Sequence, residues 1–334
     1  MSKKQRIRYD RIAAVLGIFI LLIVLLVSCA KGCSGNKKDK PAKKEKPAVT
    51  TTATVVTTTA PVTAAHTDNV QMPGMPSSTA CAVYMADYDM MLYEYHIDER
   101  VAPASLTKLL TASAALKYAS SNETFTVGSE QWLVPSDSSL AFLAEGQEIT
   151  LHDLICGMLL ASGNDAAYTT AVSIAHKQSG DYYMADDAAV SSFCTLMNSF
   201  AAEIGMNSSN FATPDGWDND MTYTTVRDLL TLSEYVLTVP ELADIVGTQQ
   251  YSTNFVTGDA ATWTNSNRLL DPEDTFYCPT AIGMKTGSTL NAGSNLISAF
   301  RENGYTYIII VTGCGSDDDR YDLTLKLHDY FIVQ

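Results

Sequence analysis

Three short groups of residues hold side chains suited to acyl transfer. The first is Ser105 and Lys108, three apart in Pro103-Ala104-Ser105-Leu106-Thr107-Lys108-Leu109-Leu110. On a helix that spacing puts both on one face, one turn apart. A serine hydroxyl is a poor nucleophile until a neighbour accepts its proton. A lysine does this only when burial or another cation depresses its pKa, and Leu106, Leu109 and Leu110 are apolar company for Lys108. The second group is Ser162-Gly163-Asn164, and the third is Lys285-Thr286-Gly287-Ser288. Each alone has a plain structural explanation: an N-capping serine beside a surface lysine, a loop joining two helices, a strand leaving a sheet through glycine. In this order, about 55 and then 120 residues apart, they form the series S-x-x-K, S-x-N and K-T-G. One acyl-transfer site needs a nucleophile, a proton shuttle, and a cationic strand that docks a carboxylate beside an oxyanion hole. The ordered series can supply all of these.

The elements that must position these groups are legible from period and punctuation. Ala80–Ala86 reads as a strand and Leu92–Tyr95 as its partner. A helix follows Pro103 and runs from Ser105 to about Tyr118. Further helices are expected over Ile149–Leu160, with Thr150 and Asp153 as start signals, and over Asp165–His176, Ala188–Ile204 and Thr224–Val236, the last stopped by Pro240. Pro214-Asp215-Gly216 reads as a turn. Gln249–Phe255, Ala261–Asn265 and Ala281–Lys285 read as strands. Asn291–Phe300 and Tyr305–Thr312 form a hairpin through Asn303-Gly304. Arg320–Phe331 closes the chain as an amphipathic helix. Strands at both ends with helices between them imply one sheet built from sequence-distant pieces and a helical lobe inserted in it.

Charge divides the chain. Residues 1–47 carry 12 Lys/Arg and 3 Asp/Glu, a net of +9, whereas residues 48–334 carry 10 and 34, a net of −24. So acidic a body cannot neutralise phosphates, which argues against a nucleic-acid partner. Residues 1–11 form a basic segment, and Ile12–Val27 is an uncharged run of 16 residues that Ser28 to Ala30 can extend. Residues 12–30 thus read either as an uncleaved membrane anchor or as an export signal, because Leu26-Val27-Ser28-Cys29 looks like a lipobox with Cys29 as the lipidated residue. Residues 31–78, rich in Lys and Pro and then in Thr, Ala and Pro, read as a linker. The folded body is expected over residues 79–334, large enough for two lobes sharing a cleft. Cys81, Cys156, Cys194, Cys278 and Cys314 lie scattered in it without CxxC spacing or a histidine cluster. Buried free thiols are expected there, not a zinc site.

From about Ala80 to its end the chain resembles the serine D-alanyl-D-alanine carboxypeptidases, the low-molecular-mass penicillin-binding proteins. The resemblance covers the three motifs and extends to Ile149-Thr150-Leu151-His152-Asp153-Leu154, Asp165-Ala166-Ala167, Met206 through Asp215-Gly216, and Thr264-Asn265-Ser266-Asn267-Arg268-Leu269-Leu270. It implies an α/β penicillin-binding, β-lactamase-like fold: a mostly antiparallel sheet flanked by helices, with an inserted all-helical lobe. It implies that Ser105 attacks the peptide carbonyl between two D-alanines of a peptidoglycan stem peptide, and that Lys108 takes its proton. Ser162 would pass a proton to the leaving amine while Asn164 orients Lys108 and the substrate amide. Lys285 and Thr286 would hold the terminal carboxylate, Gly287 would let the strand approach, and the backbone N–H groups of Ser105 and Ser288 would form the oxyanion hole. Arg320 resembles an arginine that supports carboxylate binding; its other reading is a surface arginine at a helix start. β-Lactam antibiotics would be covalent inhibitors, with no metal or cofactor required. The substrate's location implies a bacterial membrane protein with its body outside the cytoplasm.

The chain departs from the family in three ways. About 50 residues follow Lys285, leaving no room for the C-terminal β-rich domain some members carry. The anchor lies at the N-terminus, and Asp215 stands where histidine is frequent. Three other readings use overlapping residues. A class A β-lactamase needs a glutamate soon after the second motif to activate the deacylating water, and residues 165–202 contain none. A peptidoglycan endopeptidase would use the same site. A non-catalytic penicillin-binding module would have no need of the full reactive set.

Overall fold

The computed structural model describes residues 77–333. The basic segment, the anchor or export signal with Cys29, and nearly all of the linker therefore lie outside the described residues.

Five antiparallel strands form the main sheet in the order β2-β1-β9-β8-β7. β1 (Ala80–Met85) and β2 (Met90–Tyr95) come from the start of the body. β7 (Ala281–Thr289), β8 (Gly293–Glu302) and β9 (Tyr305–Cys314) come from its end. The ends meet where β1 pairs with β9, Ala80 opposite Thr312 and Met85 opposite Tyr307. Along β1 the side chains alternate: Ala80, Ala82 and Tyr84 join one core, and Cys81, Val83 and Met85 join another. Side chains two apart share a sheet face, so a strand buried on both faces reads as a continuous apolar run.

One face is covered by α7 (Asp317–Phe331), through Tyr321, Leu323, Leu327 and Phe331. This helix starts three residues earlier than Arg320. Ser316 caps it by accepting from Asp319 N at 3.1 Å, and three aspartates occupy its positive first turn. The other face meets the inserted segment. That segment contributes α1 (Thr107–Tyr118), entered through a tight turn at Ala104–Leu106, then α2 (Leu151–Leu159), α3 (Asn164–Ser179), α4 (Asp186–Ile204), α5 (Val226–Thr238) and α6 (Pro240–Gly247). Leu106 of that turn and Leu109 and Leu110 of α1 share a core with Ile297, Ala299, Ile308 and Ile310 of the sheet.

The lobe differs from an all-helical expectation in two places. β3 (Thr124–Thr126) pairs with β4 (Glu148–Thr150), so Ile149 is a strand residue opposite Phe125, and Thr150 ends the strand and caps α2. β5 (Gln250–Asn254) and β6 (Ala260–Thr264) form a second two-stranded sheet separate from the main one. Pro240 stops α5 but also opens α6, at the first helical position where its missing N–H costs nothing.

Candidate active site

α1 enters the site through a strained turn. Ala104 has φ 49°, in the left-handed region that an alanine rarely occupies. Strain of this kind persists only where surrounding structure enforces it, and here the enforcing contacts are visible. Asn295 of β8, fully buried, donates from Nδ2 to the carbonyls of Ala102 at 2.9 Å and Pro103 at 3.2 Å. Its Oδ1 accepts from Gly313 N of β9 at 2.8 Å. From the opposite side Gly216 closes on the same turn. A Cβ there would lie 1.8 Å from the Ala104 carbonyl oxygen, and its φ of 81° also requires glycine.

Behind the turn, Lys108 Nζ donates to Ser105 Oγ at 2.7 Å and to the Asp215 carbonyl at 3.0 Å. Lys108 is 0% exposed. Burial pushes its pKa down to about 8, partly opposed by the charges of Asp215 and Asp165. The sequence-expected turn at Pro214–Gly216 thus holds Lys108 through a backbone carbonyl, and Thr111 Oγ1 pins that turn by donating to Pro214 O at 2.6 Å. Asp215 itself is buried. Its Oδ1 accepts from Trp217 N at 3.0 Å, and its Oδ2 has no hydrogen-bond partner among the described residues.

The second motif follows α2. Ser162 has φ 58°, again left-handed, so the chain bends sharply before Asn164 opens α3. The bend is anchored by Asn164 N donating to Ser139 O at 2.8 Å. Asp165 anchors it further, accepting from Ala141 N at 2.8 Å and Leu143 N at 2.9 Å. Ser162 and Asn164 are both buried.

The third motif lies on β7, an edge strand of the main sheet. Lys285 Nζ donates to Ser162 Oγ at 3.1 Å and to the Thr286 carbonyl at 3.0 Å. Lys285 is 1% exposed. Its pKa is pushed well below the ordinary lysine value, first by burial and then by the neighbouring cations Lys108 and Arg320. Thr286 Oγ1 shares a hydrogen bond with Ser266 Oγ at 2.9 Å. Gly287 faces the turn that carries Ser105: a Cβ there would stand 2.9 Å from Ser105 N and 3.1 Å from Leu106 N. A side chain would therefore separate the strand from the serine.

Arg320 is not a surface arginine. It is 6% exposed and lies beneath β7 and β8, where Nη1 donates to Ser288 Oγ at 3.0 Å, Asn295 O at 3.3 Å and Gly287 O at 3.4 Å. Nη2 pairs with Asp317 one turn back on α7. Its charge acts on Lys285, while its hydrogen bonds tie down the backbone of the third motif.

Two serine–lysine pairs, Ser105–Lys108 and Ser162–Lys285, thus come together from α1, the α2–α3 bend and β7. Sequence reasoning missed Asn295, Ser266 and the carbonyl of Asp215. Asn295 left one trace, a polar amide inside an apolar strand. Ser266 stood only within the Thr264–Leu270 stretch of the resemblance, with no role given to it, and the carbonyl left none, because a backbone carbonyl has no identity in sequence.

The D-alanyl-D-alanine carboxypeptidase family, peptidase S11, matches residues 67–316. D-alanyl-D-alanine carboxypeptidase DacC of Escherichia coli K12 is 31% identical over 280 residues, covering 80% of this chain and 64% of that protein. The chain therefore spans a little under two thirds of that relative's length. The Streptomyces K15 DD-transpeptidase structure superposes with a TM-score of 0.69 at 28% identity, covering 79% of this chain and all of that one. Penicillin-binding protein D2 of Listeria monocytogenes, solved with ampicillin bound, gives a TM-score of 0.63 at 26% identity over 78% of this chain. With a match spanning most of the chain and the three motifs converging on one buried cluster, the chain belongs to the D-alanyl-D-alanine carboxypeptidase family.

Proposed function

We propose that the chain is a serine D-alanyl-D-alanine carboxypeptidase that removes the terminal D-alanine from peptidoglycan stem peptides through an acyl-serine intermediate. The observation that carries this reading is the 2.7 Å hydrogen bond between Lys108 Nζ and Ser105 Oγ, made by a fully buried lysine whose pKa is pushed down to about 8. An amine so depressed is neutral in a minority of molecules near physiological pH, far more than an ordinary lysine, and in that form can take the hydroxyl proton as Oγ attacks.

In this reading the substrate lies along the edge strand β7, where main-chain groups can pair with an extended peptide. The terminal carboxylate binds Lys285 and Thr286. The negative charge it brings restores the proton on Lys285 that burial and the nearby cations disfavour. The backbone N–H groups of Ser105 and Ser288 receive the oxyanion, and the absence of a side chain at Gly287 keeps strand and serine close enough to form one site. Ser162, bonded to Lys285, relays a proton to the leaving D-alanine amine, and Asn164 orients Lys108 and the substrate amide. Arg320 supports carboxylate binding indirectly, through the Lys285 field and the Ser288 hydroxyl. Water then frees the acyl-enzyme.

The β-lactam ring presents the same carbonyl and carboxylate, so penicillin is expected to acylate Ser105. Incubating the full chain with benzylpenicillin should give one covalent adduct by intact mass, located on Ser105 and long-lived. Ser105→Ala should abolish both the adduct and D-alanine release from a monomeric pentapeptide. Persistence of either activity in the variant would refute the assignment, and rapid loss of the adduct would point to a β-lactamase. The Streptomyces K15 neighbour is named a transpeptidase. Adding an amine acceptor to the assay separates transfer from hydrolysis.

Residues 12–30 are proposed to hold the protein at the cytoplasmic membrane, as an uncleaved anchor or through lipidated Cys29. Residues 1–11 would then lie inside, and residues 31–78 would tether a catalytic body, residues 79–334, outside. Basic residues flank both ends of the span, five before it and seven between residues 31 and 46, so the orientation rests on the substrate lying outside the cytoplasm and not on charge. Among the described residues no helix is long and apolar enough to cross a membrane.

A further inference from the structure

A second reactive cluster lies away from Ser105, in a cleft of about 480 Å³ between α2 and α6. Cys156 lines this cleft, although only 2% exposed. One turn earlier on the same helix, His152 places Nε2 3.6 Å from the Cys156 sulfur. The other ring nitrogen, Nδ1, is 2.8 Å from Glu241 Oε1 on α6. With Nδ1–H donating to that carboxylate, Nε2 is left as an acceptor facing the thiol. The edge of the Tyr251 ring packs against His152 at 5.6 Å, and its hydroxyl is held by Asp153 at 2.9 Å, so the imidazole has little freedom to turn away. Thiol, imidazole and carboxylate thus stand in series, the arrangement that lets a cysteine act as a nucleophile.

The position of the cleft gives this cluster a consequence. α2 runs into the bend that carries Ser162, and the Gly157 carbonyl, next to Cys156, accepts from Gly163 N at 3.1 Å. On the other wall, the Val246 carbonyl of α6 abuts Gly283 of β7 with no room for a side chain, two residues before Lys285. The cleft therefore lies between α2, which leads into Ser162, and α6, which packs on the strand that carries Lys285.

We propose that Cys156 is a modification site for small disulfides, with His152 as its proton acceptor and Glu241 holding His152 in place, and that an adduct there slows acylation of Ser105. The second half rests on Ser105 being the nucleophile of the proposed function. Burial pushes the Cys156 thiol up, reinforced by the charges of Asp153 and Glu241, so the resting group is a neutral thiol. The thiol yields its proton to His152 Nε2 only as sulfur attacks. The new bond joins Cys156 to one sulfur of the disulfide, the disulfide bond breaks, and the departing thiolate takes the proton from His152. The products are a mixed disulfide on Cys156 and one free thiol. The adduct fills the cleft, pushes α2 from α6, and draws Ser162 away from Lys285.

Limited treatment of the full chain with bis(2-hydroxyethyl) disulfide, followed by peptide mapping, tests the site. Among the peptides of residues 77–333 one adduct is expected, on Cys156, formed about tenfold or more slowly in His152→Gln and Glu241→Gln and absent from Cys156→Ser; Cys29 and Cys33, outside the described residues, are replaced by serine in every protein tested. Cys81, Cys194, Cys278 and Cys314, also free and buried, are the internal comparison. Labelling spread evenly over the five cysteines of residues 77–333, or at an unaltered rate in both the His152 and Glu241 variants, would overturn the site. The coupling is read by penicillin acylation: modified wild type should react several-fold more slowly and recover after reduction, whereas Cys156→Ser should be indifferent to the reagent. Equal acylation rates before and after modification would overturn the coupling. Failure of untreated protein to acylate would instead refute the reading of Ser105, leaving the mapping result standing.

Discussion

An amine can accept a proton from Ser105 only while neutral, and it can hold a carboxylate only while charged. In the proposed mechanism Lys108 and Lys285 face these opposite demands within one buried cluster, and the charge of Lys108 lowers the tolerance of Lys285 for its own. Lys108 receives partial compensation from Asp215 and Asp165 but stays near 8. Lys285 has cationic neighbours instead, Lys108 and Arg320, which together with burial push its pKa well below the ordinary lysine value. A pH dependence follows. Acylation of the free protein by penicillin should rise with pH along a limb centred near 8, because the neutral form of Lys108 is the reactive one. Asp215→Asn removes a charge that favours the ammonium form. The amine then loses its proton more readily, and the limb should move to lower pH. Stopped-flow acylation rates from pH 6 to about 9 would check this; a limb that stays put or moves upward contradicts the role given to Asp215.

At the scale of elements, the proposed nucleophile Ser105 is held by strand and turn as much as by the helix it precedes. Ala104 keeps a left-handed φ because Asn295 binds the two carbonyls before it and Gly216 presses on its own carbonyl. Asn295→Ala leaves two buried carbonyls and the Gly313 N–H without their partner, a loss of about 1–3 kcal/mol. The expected result is a modest fall in denaturation midpoint with an unaltered circular dichroism spectrum. The rate of penicillin acylation should fall by about tenfold or more at any pH, because the turn relaxes while Lys108 keeps its environment. If the stability falls but acylation does not, Asn295 supports only the fold. The same scale explains Arg320: helix α7 delivers a buried guanidinium to the back of β7, and that helix starts early because Ser316 and three aspartates favour its first turn.

At the scale of the molecule, the site is a seam. The sheet is assembled from both ends of the body, and the lobe inserted between them returns Ser105, Ser162 and Lys285 to one point. None of the three motifs is complete without an element from another part of the chain. The proposed tether predicts that the full-length protein expressed in bacteria sediments with membranes, resists high salt and alkaline carbonate, and is released by detergent. Recovery in the soluble fraction would refute anchoring. Mass analysis of the N-terminal peptide then separates an intact segment from a lipidated Cys29.

The sequence by itself determined the three motifs and the family they resemble. Ser105 and Lys108 are linked by helix geometry at a spacing of three, and the second and third motifs are contiguous, so local structure alone keeps each group together. It determined the alternating strands and the main helices, because period 2 and period 3.6 are local properties. Short elements escaped: β3 and β4 are three residues each, too brief to show a period, and Pro240 reads equally as a stop and as a start. Only the tertiary structure decided that Lys108 is fully buried against the Asp215 carbonyl, that Lys285 reaches Ser162, that Arg320 turns inward, and that Asn295 braces the turn before Ser105. All of these depend on residues 25 to about 195 positions apart meeting across the seam, and on desolvation, which arises only once both lobes have closed around the charge.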